Sequence, residues 1–212
     1  MKTPLTTAKA YLQMLELSLN NEEVNLFVKK ANQSINSLTQ LISELLGVRK
    51  IQLGKLNYKV TTFDFNELIN DTVESIQLTS PKYTIIKTGQ VYDQVSADKE
   101  RIQQVVINLL NNAIKYSPGK SQVFVTTEQV EDTIKVAVKD NGIGISKQSL
   151  DKIFDKYYRV EDHADHIQGM GIGLFISFEI IQRHHGRLWA ESESGKVSTF
   201  YFTIPIHNNL TL

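Results

Sequence analysis

The chain has 212 residues, with 23 Lys or Arg against 23 Asp or Glu, 41% hydrophobic and 22% charged side chains, and no cysteine. That length allows one large domain or two modest ones; the composition excludes a disordered or fibrous chain, and the lack of cysteine excludes a disulfide framework and thiolate metal sites. Balanced charge without a Lys/Arg run lacks the footprint of a nucleic-acid binder, and no apolar stretch reaches the roughly 18 residues of a spanning helix, so a cytoplasmic setting is expected, with any membrane contact outside this chain.

Leu5, Ala8, Leu12, Leu15 and Leu19 recur at steps of three and four, one apolar face of a helix that Asn20 and Asn21 interrupt. Val24, Ala31, Leu38 and Leu45 then repeat every seven residues beside the companion row Phe27, Ser34, Leu41 and Val48. This is a coiled-coil-like seam. Val28, Ile35 and Ile42 widen the stripe beyond what one hairpin covers, so residues 1–53 are expected to form a helical hairpin that dimerises into a four-helix bundle, rather than one packed on the rest of its own chain. From Gly54 the pattern mixes. Leu56, Tyr58 and Val60 alternate as a strand, Asp64 or Asn66 can cap a helix carrying Leu68, Ile69, Val73 and Ile76, and Pro81 ends it. Tyr83 to Lys87 and Val91 to Val95 are short strand candidates. Asp98 caps a helix with Ile102, Val105, Leu109 and Ala113 on one face, stopped by Ser117, Pro118 and Gly119. Val123 to Thr127 and Ile134 to Val138 alternate as strands; a helix from about Ile172 to His184 and strands around Leu188 to Ala190 and Thr199 to Ile204 follow. The order predicts an α+β domain over residues 54–212, with helices on one face of a sheet.

Three segments carry chemistry. On the Asp98 helix, Asn108 and Asn112 lie four apart and share a face, with Lys115 beside them. Amide oxygens can complete an octahedral Mg²⁺ shell and a lysine can meet phosphate, although an Asn pair on a solvated face has the same spacing. Asp140, Gly142 and Gly144 follow the apolar strand; the carboxylate can accept from an exocyclic amine while glycines let backbone approach a planar ring, or the segment is a plain turn. Gly169, Gly171 and Gly173 with Leu174 open a helix and suit phosphate. Leu174 stands where a dinucleotide fingerprint needs its third glycine, and the Gly-Lys-Ser/Thr of a P-loop is absent. Between these segments, Phe154, Tyr157, Tyr158 and Arg159 precede a polar stretch ending at Gln168, the pattern of a hinged lid in which Arg159 reaches a terminal phosphate. His163 and His166 are read as part of that polar loop rather than as metal ligands.

In this order, the Asn108/Asn112 helix, Asp140-x-Gly142-x-Gly144, Phe154 and Gly169 to Leu174 resemble the N box, first glycine box, F box and second glycine box of sensor histidine kinases. Lys2-Thr3-Pro4-Leu5-Thr6 is similar to the sequence just after that family's phosphoacceptor histidine. The resemblance implies a dimerisation and phosphotransfer hairpin followed by a Bergerat-type α/β sandwich on a mixed sheet. It implies that Asp140 binds the adenine amino group, Tyr116 lies against adenine, Asn112 coordinates Mg²⁺ with Asn108 nearby, and Lys115 and Arg159 contact phosphates. Gly169, Gly171 and Gly173 would close the lid onto ATP. It further implies transfer of the γ-phosphoryl to a histidine and then to an aspartate of a response regulator, in a protein whose cytoplasmic part this chain is. The related ATPases carry glutamate at the position of Asn108; an amide takes no proton, which favours transfer over an ATPase clamp, and a non-catalytic dimeric module is the other alternative. The family's acceptor histidine would stand before Met1, so this chain is not expected to phosphorylate itself. Arg187 departs from the family's second glycine after Gly186, with only a surface effect expected.

Overall fold

A computed structural model describes residues 12–15, 22–52, 58–160 and 170–207. They fall in two compact units, Met1–Gly54 and Lys55–Leu212. In the first, residues 12–15 are helical and helix α1 spans Glu22–Gln52; most of the expected first helix lies outside the described residues. Along α1, Val28 is buried, whereas Leu38 and Leu45, one heptad apart, are 47% and 45% exposed, as are Leu26 and Leu46 in similar degree. No helix among the described residues is long and apolar enough to cross a membrane.

The second unit is the expected α+β layer. Strand β1 (Thr61–Asp64) pairs antiparallel with β3 (Gln94–Ala97). A five-stranded mixed sheet runs β2 (Thr84–Gln90), β4 (Gln122–Val130), β5 (Thr133–Asp140), β7 (Ser198–Pro205), β6 (Arg187–Ser192), parallel only at β2–β4. Helices α2 (Phe65–Thr79), α3 (Lys99–Lys115) and α5 (Gly173–Arg183) pack together over it, and α4 (Lys147–Leu150) is a single turn that periodicity did not signal. The core forms where their apolar stripes meet the inward rows Val123, Val125 and Ile134, Val136, Val138. On the other face Trp189 stacks on Tyr201 with ring centroids 5.1 Å apart.

Of the expected strand through Leu56, Tyr58 and Val60, the described residues 58–60 form none, and the Val91 to Val95 strand starts later than alternation suggested. Lys59 donates its backbone N–H to Asp98 Oδ2 at 2.8 Å and Tyr58 packs edge-on against His184, so residues 58–60 stay outside a ladder and β1 begins at Thr61. Val91 has its N–H and C=O both bonded by the Asn66 side chain, at 3.0 and 2.6 Å, and β3 begins at Gln94. A side chain that satisfies both backbone groups removes the reason to pair.

Candidate functional site

Helix α3 brings the site into being. Asp98 caps its start, accepting from Arg101 N–H at 3.1 Å. Its apolar stripe Ile102, Val105, Val106, Leu109, Leu110 and Ala113 is buried, which leaves Asn108 and Asn112 half-buried, one turn apart on a flank. Asn108 Nδ2 donates to Ser177 Oγ on α5 at 2.9 Å. A Cβ on Gly173 would lie 2.3 Å from Asn108 Oδ1, so a side chain there would push the amide out of its place. The first amide of the pair and the glycine that opens α5 are therefore in contact, although 65 residues separate them in sequence.

The other end of α3 meets the loop after β5. Asp140 is the last inward residue of the alternating row Ile134, Val136, Val138 and is 2% exposed. Its Oδ1 accepts from Gly142 N–H at 2.8 Å and from Ser117 Oγ at 3.3 Å. Burial pushes its carboxyl from 3.8 to about 6, and these two bonds with the Ser198 N–H oppose that rise. Ile143 N–H donates to Tyr116 O at 3.0 Å, and a Cβ on Gly142 would fall 2.1 Å from the same carbonyl. On its far side the loop is held by Gly195 N–H, which donates to Ile143 O at 2.7 Å, and by the Ile145 N–H bond to Ser192 Oγ at 2.9 Å. Gly144, at φ 69, makes the turn between these attachments.

The remaining candidates stand on α3, on α5 and in the chain between α4 and α5. Lys115 Nζ lies 5.1 Å from the Tyr116 ring centroid. Burial raises the Tyr116 hydroxyl above its ordinary value, and the nearby Arg159 charge pulls it back down, so Arg159 is within electrostatic reach of that tyrosine. Phe154 packs against Phe178 of α5 at 5.9 Å, and Tyr158 donates its hydroxyl to Ser149 Oγ at 3.1 Å. Gly171 O accepts from Tyr157 N–H at 3.0 Å; both residues are left-handed, at φ 66 and 67. Leu174 is half-buried in the first turn of α5. Gly169, His163 and His166 lie outside the described residues.

Sequence reasoning missed Ser117 and Ser177, each a hydroxyl bonded to a candidate residue. Ser177 did carry a signal: it stands one helical turn after Gly173, between the buried Ile176, Ile180 and Ile181, where a hydroxyl needs a polar partner. It also missed His184, which is fully buried. Asp98 N–H donates to its Nε2 at 3.1 Å, which leaves Nδ1 to donate to Ile180 O at 2.7 Å, and burial holds the ring below its ordinary value. The departure assigned to Arg187 belongs elsewhere. Arg187 opens β6 in ladder register, whereas His185 sits at φ 55. With His185 N–H bonded to Gln182 O and Gly186 N–H to Ile181 O, it fills the left-handed residue of a Schellman end, where glycine is preferred.

Chemically, these residues offer a buried acceptor for an amine, a glycine backbone at close approach, two amides able to face a cation, and two flexible cations for anionic oxygens. Residues 97–208 match the family described as "Histidine kinase-, DNA gyrase B-, and HSP90-like ATPase", and residues 1–54 match the "His Kinase A (phospho-acceptor) domain". Sensor protein kinase WalK of Staphylococcus saprophyticus is 31% identical over 213 residues, 97% of this chain and 35% of the relative. The chain thus spans about a third of that relative's length. Among solved structures, full-length ShkA in complex with AMPPNP superposes with a TM-score of 0.77 at 21% identity, over 99% of this chain and 44% of that one. Histidine kinase ThkA in complex with the response regulator protein TrrA gives 0.66 at 26% identity, over 96% and 58%.

Proposed function

The chain belongs to the sensor histidine kinases, and from that premise we propose that residues 54–212 bind ATP with Mg²⁺ and direct its γ-phosphoryl to a histidine, from which an aspartate of a response regulator takes it. The observation that carries the reading is Asp140, a carboxylate kept in the core at the mouth of a loop whose backbone is pressed onto Tyr116. Ionised, it accepts from the exocyclic amine of adenine, with Gly142 and Gly144 admitting the ring and Tyr116 closing one side. Asn112 and Asn108 would hold the Mg²⁺ that accompanies the triphosphate, and that cation would supply neutralisation of the phosphate charge when bound. Lys115 and Arg159 meet the phosphates, while Gly169, Gly171, Gly173 and Leu174 close over them and Phe154 anchors that closure on α5. In the transfer the bond from the γ-phosphorus to its bridging oxygen breaks, an imidazole nitrogen forms the new bond, and ADP leaves. Asn108 takes no proton from water, which disfavours hydrolysis.

The exposed Leu38 and Leu45 row supports a homodimer through the N-terminal hairpin, and the complex of ThkA with TrrA supports a receiver-domain partner. The chain is read as the cytoplasmic part of a membrane-bound sensor, without a nucleic-acid partner. The adenine reading is tested by calorimetry of Asp140→Ala with ATP and with inorganic triphosphate. ATP affinity is expected to fall by about 1–3 kcal/mol, the loss from an unpaired buried amine, with triphosphate unchanged. Equal losses for both ligands would remove adenine recognition from Asp140.

A further inference from the structure

A carboxylate sealed in a protein interior is pressed to take up a proton, and a protonated carboxyl is the weaker acceptor. Asp140 is 2% exposed, and to accept from an adenine amine it has to stay ionised. Three donors favour that form. Gly142 N–H reaches Oδ1 at 2.8 Å from the loop after β5, Ser198 N–H approaches from β7, and Ser117 Oγ lies 3.3 Å from Oδ1. The first two are backbone groups that any residue except proline would supply. The third belongs to a particular side chain, and it comes from a different element, the turn that ends α3.

Ser117 is fully buried, and its backbone is fixed on both sides. Its N–H donates to Ile114 O at 3.4 Å, and its carbonyl accepts from Lys120 N–H at 3.2 Å and from the Tyr83 hydroxyl at 3.3 Å. Pro118 and Gly119 already stop the helix, so the turn itself calls for no hydroxyl at this position. An ionised carboxylate oxygen can only accept; toward that form the Ser117 hydroxyl is the donor. A bond to a charged oxygen is roughly twice as strong as one to a neutral oxygen, so the contact favours ionised Asp140 whichever way the proton lies in the neutral form. The influences on this carboxyl are burial and the three donors, with no charged side chain among them. Opposite it on β4 stands the buried Val123, and Lys139, its neighbour on β5, is exposed on the alternate face.

We infer that Ser117 is a positioning residue for nucleotide recognition: by donating to Asp140 Oδ1 it keeps that carboxylate in the ionised form that accepts the adenine amine. The inference rests on the reading that Asp140 binds adenine. Being fully buried, Ser117 acts through Asp140 alone.

The experiment is a pH series on this chain and on Ser117→Ala, read by carbon NMR of the Asp140 carboxyl and by calorimetry with Mg-ATP and with inorganic triphosphate. The wild-type carboxyl should titrate at about 6. In Ser117→Ala the midpoint should rise by about one pH unit. Taken as a ratio to wild type, which cancels the ligand's own titration, ATP affinity should then be about fivefold lower at pH 6 and within about 1.5-fold at pH 8.5, with triphosphate within about 1.5-fold at both. Ser117→Cys keeps almost the same bulk with a weak donor and should show the same shift, which covers the case in which the alanine variant does not fold. A hydroxyl that only closed the turn would lower affinity alike at every pH. A midpoint unmoved in the alanine or cysteine variant, or an ATP loss equal at pH 6 and pH 8.5, overturns the role of Ser117. A midpoint that rises while ATP affinity stays at its wild-type value at both pH values overturns the adenine reading beneath it, so the two failures are distinct.

Discussion

A buried aspartate stands at each end of α3, Asp98 as its cap and Asp140 on β5 beside Ser117, and the two are used in different ways. At the N-terminal end, Asp98 is 5% exposed, and its two oxygens accept from Arg101 N–H and Lys59 N–H. Its own N–H goes to His184. The cluster is self-contained: cap, linker segment and the end of α5 are tied by backbone groups that would otherwise be orphaned. At the C-terminal end, Asp140 is 2% exposed and is left with a carboxyl pushed up to about 6 by the desolvation it suffers. Equal burial therefore does different work. Asp98 uses one oxygen on its own helix and the other on Lys59, whereas at Asp140 the donors Gly142, Ser117 and Ser198 oppose but do not overcome the rise that burial causes.

The largest expected effect sharpens this contrast at Asp140. Its folded value lies above the 3.8 of an unfolded carboxyl, so the native state binds the extra proton between roughly pH 4 and 6. Stability tied to that proton is present below 3.8 and is lost as pH rises through 6, a difference of up to about 3 kcal/mol. Asp140→Asn, which can still accept from Gly142 and Ser117, should unfold at a higher denaturant concentration than wild type at pH 7.5, and that advantage should vanish near pH 4. The same variant should bind ATP more weakly. A variant no more stable than wild type at neutral pH breaks the contrast.

Asp98→Ala should do the reverse. Losing the cap and orphaning Lys59 N–H should cost about 2–3 kcal/mol in chemical denaturation, while the preference for ATP over inorganic triphosphate stays as in wild type. Loss of that preference would make the two ends of α3 one functional unit. A smaller effect concerns His184, whose folded value lies below its ordinary 6.5. A base depressed in this way contributes stability that is present above 6.5 and lost as pH falls below it. In an NMR titration its ring should take up a proton at lower pH than a free imidazole does; protonation near 6.5 in the folded chain would show that the Asp98 cluster is open. The smallest effect is His185→Gly. Relief of a left-handed side chain at the end of α5 should raise stability by about 1 kcal/mol with nucleotide affinity unchanged.

Much of this site was legible because its chemistry sits on regular elements. Asn108 and Asn112 were placed by helical period and Asp140 by its position at the end of an apolar strand, whose alternation, continued by one more residue in the structure, also buries it. What escaped notice were bonds across the fold. Nothing local to Asn66 indicates that it will take both backbone groups of Val91 and end a strand, and nothing local to His184 indicates that it will accept from Asp98, 86 residues away. The glycine departure was misplaced for a related reason. The αL position of a helix end is set by where the last carbonyls find partners, and here those partners make it His185.

The bond from Tyr157 to Gly171 ties together two points of the chain fourteen positions apart, and Gly171 lies so close to Tyr158 O that a Cβ there would fall 2.3 Å from it. Clipped in this way, Tyr157 and Gly171 hold the end of the Phe154 stretch and the approach to α5 at one fixed separation, so a substitution at Gly171 would be felt on both sides of the join.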